Sequence, residues 1–203
     1  MEIKEDENCI LIIYELVSLL LSYDYETVKL RVEDILNEYT RNCLAKGESR
    51  EKFSSFISDV IAYAKSKEDV EGFLKLLRGR ILEDRELREL ATLVFREICN
   101  AEVARICRGW GEDLEPAVRM AYLKCLLKLF ERGEVGVEEL GSFIEDPSPK
   151  IRLTLASALS LHADRSEVRS LLLKMLGKER RSEVRNVIIE SLSIRKNLDK
   201  KYP

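Results

Sequence analysis

The chain of 203 residues contains no glutamine, one histidine, one tryptophan, four prolines and nine glycines. Each shortage excludes something. With His162 as the only histidine, zinc sites built on paired histidines are ruled out, and a histidine-based catalytic triad would depend on this one residue. His162 reads instead as a helix-end residue, where partial positive charge is favourable. No phosphate-cradling glycine loop exists: Gly109-Trp110-Gly111 lacks both the spacing and the following Lys-Ser/Thr. The carboxylates are plentiful but scattered over polar helix faces, as solvated surface is. No catalytic residue, metal ligand or cofactor site is therefore expected, and the chain reads as a non-enzyme. Long apolar runs are also missing. The most apolar stretch, Cys9 to Leu21, is too short for a comfortable membrane span and carries Glu15 in its middle. Its acidic leader, Met1 to Glu7, is the wrong sign for a secretory signal. We expect no membrane partner and a cytoplasmic location. The five cysteines (Cys9, Cys43, Cys99, Cys107 and Cys125) form no Cys-x-x-Cys pair, and their odd number fits no complete disulfide framework. They are expected to be free and to act as small hydrophobes.

What is present is charge and aliphatic surface: 45% of residues are hydrophobic and 35% charged. With so little Gly and Pro, that balance suits helices with one apolar and one salt-rich face. Glu, Lys and Arg in place of amides is usage common in proteins of hot environments. The net charge is only -3, yet residues 1–50 carry 6 basic and 11 acidic side chains, whereas residues 151–203 carry 12 basic and 6 acidic. The ends are opposite in sign, which matters for docking and self-association.

Internal repetition is the strongest pattern. An aliphatic residue followed by arginine recurs as Leu87-Arg88, Val118-Arg119, Ile151-Arg152 and Val184-Arg185, at steps of 31, 33 and 33 residues. Three positions on come Leu90, Ala121, Thr154 and Val187, then Ala91, Tyr122, Leu155 and Ile188, and seven on come Val94, Cys125, Ala158 and Ser191. Offsets of 0, 3, 4 and 7 trace one helix face. Between these helices lies a second set led by Val70, Val103, Val137 and Val168. Each unit reads as helix, turn, helix in about 33 residues. Gly109, Gly111, Gly133 and Gly136 mark helix ends. Pro147 and Pro149 stop the preceding helix, and Asp146 and Ser182 are expected as caps of the helices that follow.

Asp146-Pro147-Ser148-Pro149-Lys150-Ile151-Arg152, with Ala156 and Leu159, resembles the second-helix signature of HEAT repeats, and Glu115-Pro116-Ala117-Val118-Arg119 with Ala121 is a looser copy. The copies at Leu87-Arg88 and Val184-Arg185 lack the proline. The resemblance spans roughly residues 68–196. It implies an all-α, right-handed α-solenoid of about four HEAT-like hairpins (68–203), with residues 1–67 as an irregular N-terminal helical cap of helices near 7–23, 25–45 and 50–66. It also implies a structural role for the repeated arginines Arg88, Arg119, Arg152 and Arg185. Arg119, Arg152 and Arg185 would stitch neighbouring repeats, with Asp113 and Asp146 as partners. Two enzymatic branches of such folds find no match here. Repeated His-Glu pairs for di-iron hydroxylation are absent, and Trp110 with Asp113 is only a fragment of what a DNA glycosylase would need.

A protein-binding scaffold is the expected function. Leu93, Met120, Leu127 and Leu153 fall off the core stripe of the second helices and form a candidate apolar patch for a protein or peptide, with burial by the N-terminal helices or by a dimer mate as the alternative. Arg180, Arg181, Arg185, Arg195 and Lys196 form a candidate basic patch. They suit nucleic acid or an acidic protein, another copy of the chain included.

Overall fold

A computed structural model describes residues 12, 15–21, 25–42, 48–66, 68–83 and 85–198. Every element among them is helical, and none of these helices is long and apolar enough to cross a membrane. The chain forms two compact units, residues 1–98 and 99–203. The division falls between Ile98 and Cys99, within the segment read as repeats. Local chemistry accounts for a break there. α5 ends at Ile98, and Asn100 starts the next helix by accepting the Val103 N–H at 2.9 Å.

The first unit contains helical backbone at residues 15–21 (α1), then α2 (Tyr25–Asn42), α3 (Glu48–Ser66), α4 (Val70–Ile81) and α5 (Arg85–Ile98). Buried Val32, Ile35 and Tyr39 on α2 and Phe56, Ile57, Val60 and Ala64 on α3 keep the helical spacing that places them on one face. α4 begins where Asp69 accepts the Gly72 N–H at 2.8 Å. Tyr63 of α3 stacks on Phe73 of α4 at a centroid distance of 4.0 Å, and α4 pairs with α5.

The second unit runs α6 (Ala101–Ile106), a 3-10 turn (Arg108–Glu112), α7 (Pro116–Glu131), a 3-10 segment (Val137–Glu145), α8 (Pro149–Ser160), α9 (Ser166–Lys178) and α10 (Ser182–Leu198). α7 packs on α8 and α8 on α10, so the arginine-bearing helices lie in succession. The 3-10 segment at 137–145 packs against α9, and each of the two also touches α8. Pro116 and Pro149 occupy the first turns of α7 and α8, where the missing N–H costs no helix bond. α7 closes with Gly133 at φ 72°: its N–H reaches Phe130 O at 3.0 Å, and the Glu134 N–H reaches Leu129 O at 2.9 Å, a Schellman ending.

One expected α-helix is not one. Residues 137–145 wind as a 3-10 helix, which their apolar spacing accommodates. Val137, Leu140 and Phe143 recur every three residues, the 3-10 period, and all are buried. The cysteine expectation also needs correcting. Cys99 and Cys125 are disulfide-bonded, with Cα atoms 5.7 Å apart, linking the start of the second unit to the middle of α7. An odd total says nothing about a single pair brought together by tertiary packing. Cys107 is free and buried, and its burial pushes the thiol pKa up to about 12. Cys9 and Cys43 lie outside the described residues.

Candidate functional site

The repeated arginines of the second unit make one motif three times over. An acidic residue stands six positions before each: Asp113, Asp146 and Glu179, before Arg119, Arg152 and Arg185. The backbone carbonyl of that acid accepts from the arginine Nη1 in every copy, at 2.7, 2.6 and 3.0 Å. Its carboxylate accepts an N–H two residues on: Glu115 at 2.9 Å, Ser148 at 2.8 Å and Arg181 at 2.8 Å. Each turn is thereby folded around its own arginine, and the free N–H groups ahead of the helix are satisfied by a carboxylate.

The other edge of the guanidinium reaches forward. Arg119 donates through Nε and Nη2 to the two carboxylate oxygens of Asp146, at 2.7 and 3.0 Å. Arg152 repeats this fork on Glu179 at 2.6 and 3.0 Å. Both acceptors lie 27 residues ahead, in the turn that opens the next second helix. Arg119, Asp146 and Glu179 are buried, so these are two-pronged ion pairs in a low-dielectric setting. The Arg152 guanidinium, with help from two backbone N–H groups, holds the Glu179 carboxyl down at about 2 against the cost of burial. The Asp146 pair in turn raises the Arg119 pKa.

Two expectations change here. Asp146 does not cap α8 directly, since Ser148 is the N-cap residue without a side-chain bond; its carboxylate is committed to Arg119 and to the Ser148 N–H. At α10 the acid that takes the leading N–H groups is Glu179, which accepts from Arg180 and Arg181, rather than Ser182, which is already the first helical residue. Sequence reasoning passed over Glu179 as a partner. The signal was available, since 113, 146 and 179 are acids at the same 33-residue step as the arginines. Arg88 departs from the motif: it is exposed and donates to Ile81 O and Glu83 O, each at 3.0 Å.

The candidate apolar patch does not stand open. Leu93 and Leu127 are buried, while Met120 and Leu153 are half-buried. The cause is that α7 is nearly apolar all round, with Leu126, Leu127, Leu129 and Phe130 all buried. Likewise residues 90–95 of α5 are buried without interruption. A helix enclosed by neighbours has no polar face on which an off-stripe leucine would stand out. Of the basic patch, Arg180 and Arg181 are exposed, and Arg185 is half-buried with Nη1 on Leu176 O (2.9 Å) and Glu179 O. The side chains of Arg195 and Lys196 lie outside the described residues. His162, at the end of α8, sets its ring edge-on to Phe130 at 5.4 Å, and Arg165 lies over the same ring at 4.6 Å. Trp110 sits half-buried in the 3-10 turn. Nearby, the Tyr122 hydroxyl donates to Ala104 O at 3.2 Å, tying α7 to α6.

The third copy differs from the first two at its forward edge. Arg185 Nε and Nη2 meet no carboxylate among the described residues. Four residues on, the position is fully buried in the first two copies, as Leu123 and Ala156 at 0%, but Ile189 is 43% exposed. The apolar position one helical turn after the arginine is thus buried on α7 and α8 and exposed on α10. No protein-family model matches the chain, and neither a curated protein nor a solved structure matches it.

Proposed function

We propose that this chain is a cytoplasmic protein-binding scaffold rather than an enzyme. In this reading the hairpins of residues 99–203 continue one another as a right-handed α-solenoid of HEAT-like repeats, and a partner protein binds on its surface. The observation that carries the reading is the repeated arginine fork, Arg119 on Asp146 and Arg152 on Glu179, which ties each second helix to the turn that opens the next. On α10, Ile189 is an aliphatic side chain 43% exposed, a feature that suits contact with a protein. Nucleic acid is the weaker reading for α10, because Nη1 of Arg185 is committed to backbone carbonyls rather than presented for phosphate.

Affinity capture with the tagged chain from its native lysate, with and without nuclease, tests this. A stoichiometric protein recovered in both samples, and lost with the variant Ile189→Lys, is expected. Recovery of nucleic acid, with accompanying proteins lost after nuclease, would overturn it.

A further inference from the structure

The six residues of α6, Ala101–Ile106, fall well short of the roughly 12–15 that hold a helix without packing, so other elements must keep it in place. α7 does so at two points. Cys125 is bonded to Cys99, which directly precedes the Asn100 cap of α6. Tyr122, three residues earlier on the same face of α7, donates its hydroxyl to Ala104 O at 3.2 Å. Val103, Ala104 and Cys107 are buried, one face of the segment at offsets of 0, 1 and 4. Cys107 is the last of these: it caps the C-terminal end of α6, with its N–H on Val103 O at 2.9 Å. A free thiol is therefore enclosed at one end of an element whose other end is pinned by a disulfide. The arginine forks tie α7 to the turns before α8 and α10 without involving α6.

We propose that the Cys99–Cys125 disulfide is a redox-operated clamp on α6, whose reduction lets residues 99–107 open and exposes the Cys107 thiol. The reductant is a dithiol. One of its thiolates attacks a sulfur of the bond to give a mixed disulfide, and its second sulfur then displaces the protein. Two electrons and two protons pass to the protein, leaving Cys99 and Cys125 as thiols and the reductant as a disulfide. The bond is itself enclosed, with Cys99 2% and Cys125 0% exposed, so attack follows a brief local opening of α6. Once the bond is cut, only the Tyr122 hydroxyl and the packing of Val103 and Ala104 oppose that opening, and it recurs more often. Reoxidation closes the segment again. The clamp requires no partner and stands apart from the scaffold reading.

Alkylation of the full chain by iodoacetamide without denaturant, before and after treatment with dithiothreitol, tests the clamp, and peptide mass mapping reads each cysteine separately. Treatment should free Cys99 and Cys125, and Cys107 should then react roughly tenfold faster or more than in the untreated chain. The double variant Cys99→Ala, Cys125→Ala should show the fast Cys107 rate with or without the dithiol. Amide hydrogen exchange of the wild-type chain gives a second measure that needs no variant. Reduction should speed exchange across 101–107 and leave α8 and α9 unchanged. A Cys107 rate that is the same in both states while Cys99 and Cys125 are labelled overturns the clamp. So does a bond that resists the dithiol under native conditions. Exchange that rises equally through α8 and α9 overturns it as well, since the bond would then be a strut of the whole unit.

Discussion

Glu179 concentrates the residue-scale chemistry of the second unit: it binds the Arg152 fork, and it satisfies the two N–H groups at the start of α10. Its folded pKa, about 2, lies below the ordinary 4.5. A depressed carboxyl pKa contributes stability that is fully present above the unfolded value and is lost as pH falls from about 4.5 towards 2. The size is on the order of 3 kcal/mol. Glu179→Gln keeps an acceptor for the backbone N–H groups but removes the charge, leaving the Arg152 guanidinium without its counter-ion. Denaturant titrations should show the variant well below wild type at neutral pH, with the difference shrinking steadily as the pH drops through 4 to 2. A difference that does not change with pH would mean that the ion pair contributes nothing. The residue-scale reading from sequence reached the arginines and Asp146 as a partner, but also assigned Asp146 as a cap and overlooked Glu179. Acids at the 33-residue step mark the candidates, and only packing fixes which carboxylate 27 residues ahead meets which guanidinium.

Among the elements, glycines separate backbone requirement from mere absence of a side chain. Gly133 is left-handed at φ 72°, and a Cβ added there meets nothing within 4 Å, so the penalty for Gly133→Ala is backbone strain alone, about 1 kcal/mol. Gly141, within the 3-10 segment, also has open space around an added Cβ and has no positive φ. Gly141→Ala should therefore stabilise by about 0.5 kcal/mol through the unfolded chain. Thermal melts of the two single variants should move in opposite directions, and movement in the same direction would refute this reading. Helix ends of this kind were legible in the sequence, because proline and glycine act on their own backbone angles. The 3-10 winding of 137–145 was legible only in retrospect. Periods of 3.0 and 3.6 differ by little over nine residues, so packing beneath Val137, Leu140 and Phe143 selects between them.

In the molecule as a whole, the second unit is held by links that are distant in sequence: the two arginine forks and the Cys99–Cys125 disulfide, whose ends are 26 residues apart. Closing a loop of that length removes chain entropy from the unfolded state worth about 3–4 kcal/mol. Reduction should lower the melting temperature of the wild-type chain and leave a Cys99→Ala, Cys125→Ala variant unmoved. Equal response of both to reductant would show that the bond does not contribute. Buried Cys107, with its thiol pKa pushed to about 12, stays out of exchange.

By itself the sequence determined the helical class, the 33-residue period, the first turns at Pro116 and Pro149, the helix end at Gly133 and the opposed charge of the two ends. All of these follow from properties a residue carries with it: backbone freedom, hydropathy at helical spacing, and formal charge. Tertiary structure decided the rest. It buried Leu93 and Leu127, paired Cys99 with Cys125, gave Arg119 to Asp146 and Arg152 to Glu179, and left Ile189 exposed. The reason is physical: whether a leucine is core or surface, and whether a guanidinium is paired or open, depends on what the next hairpin places against it.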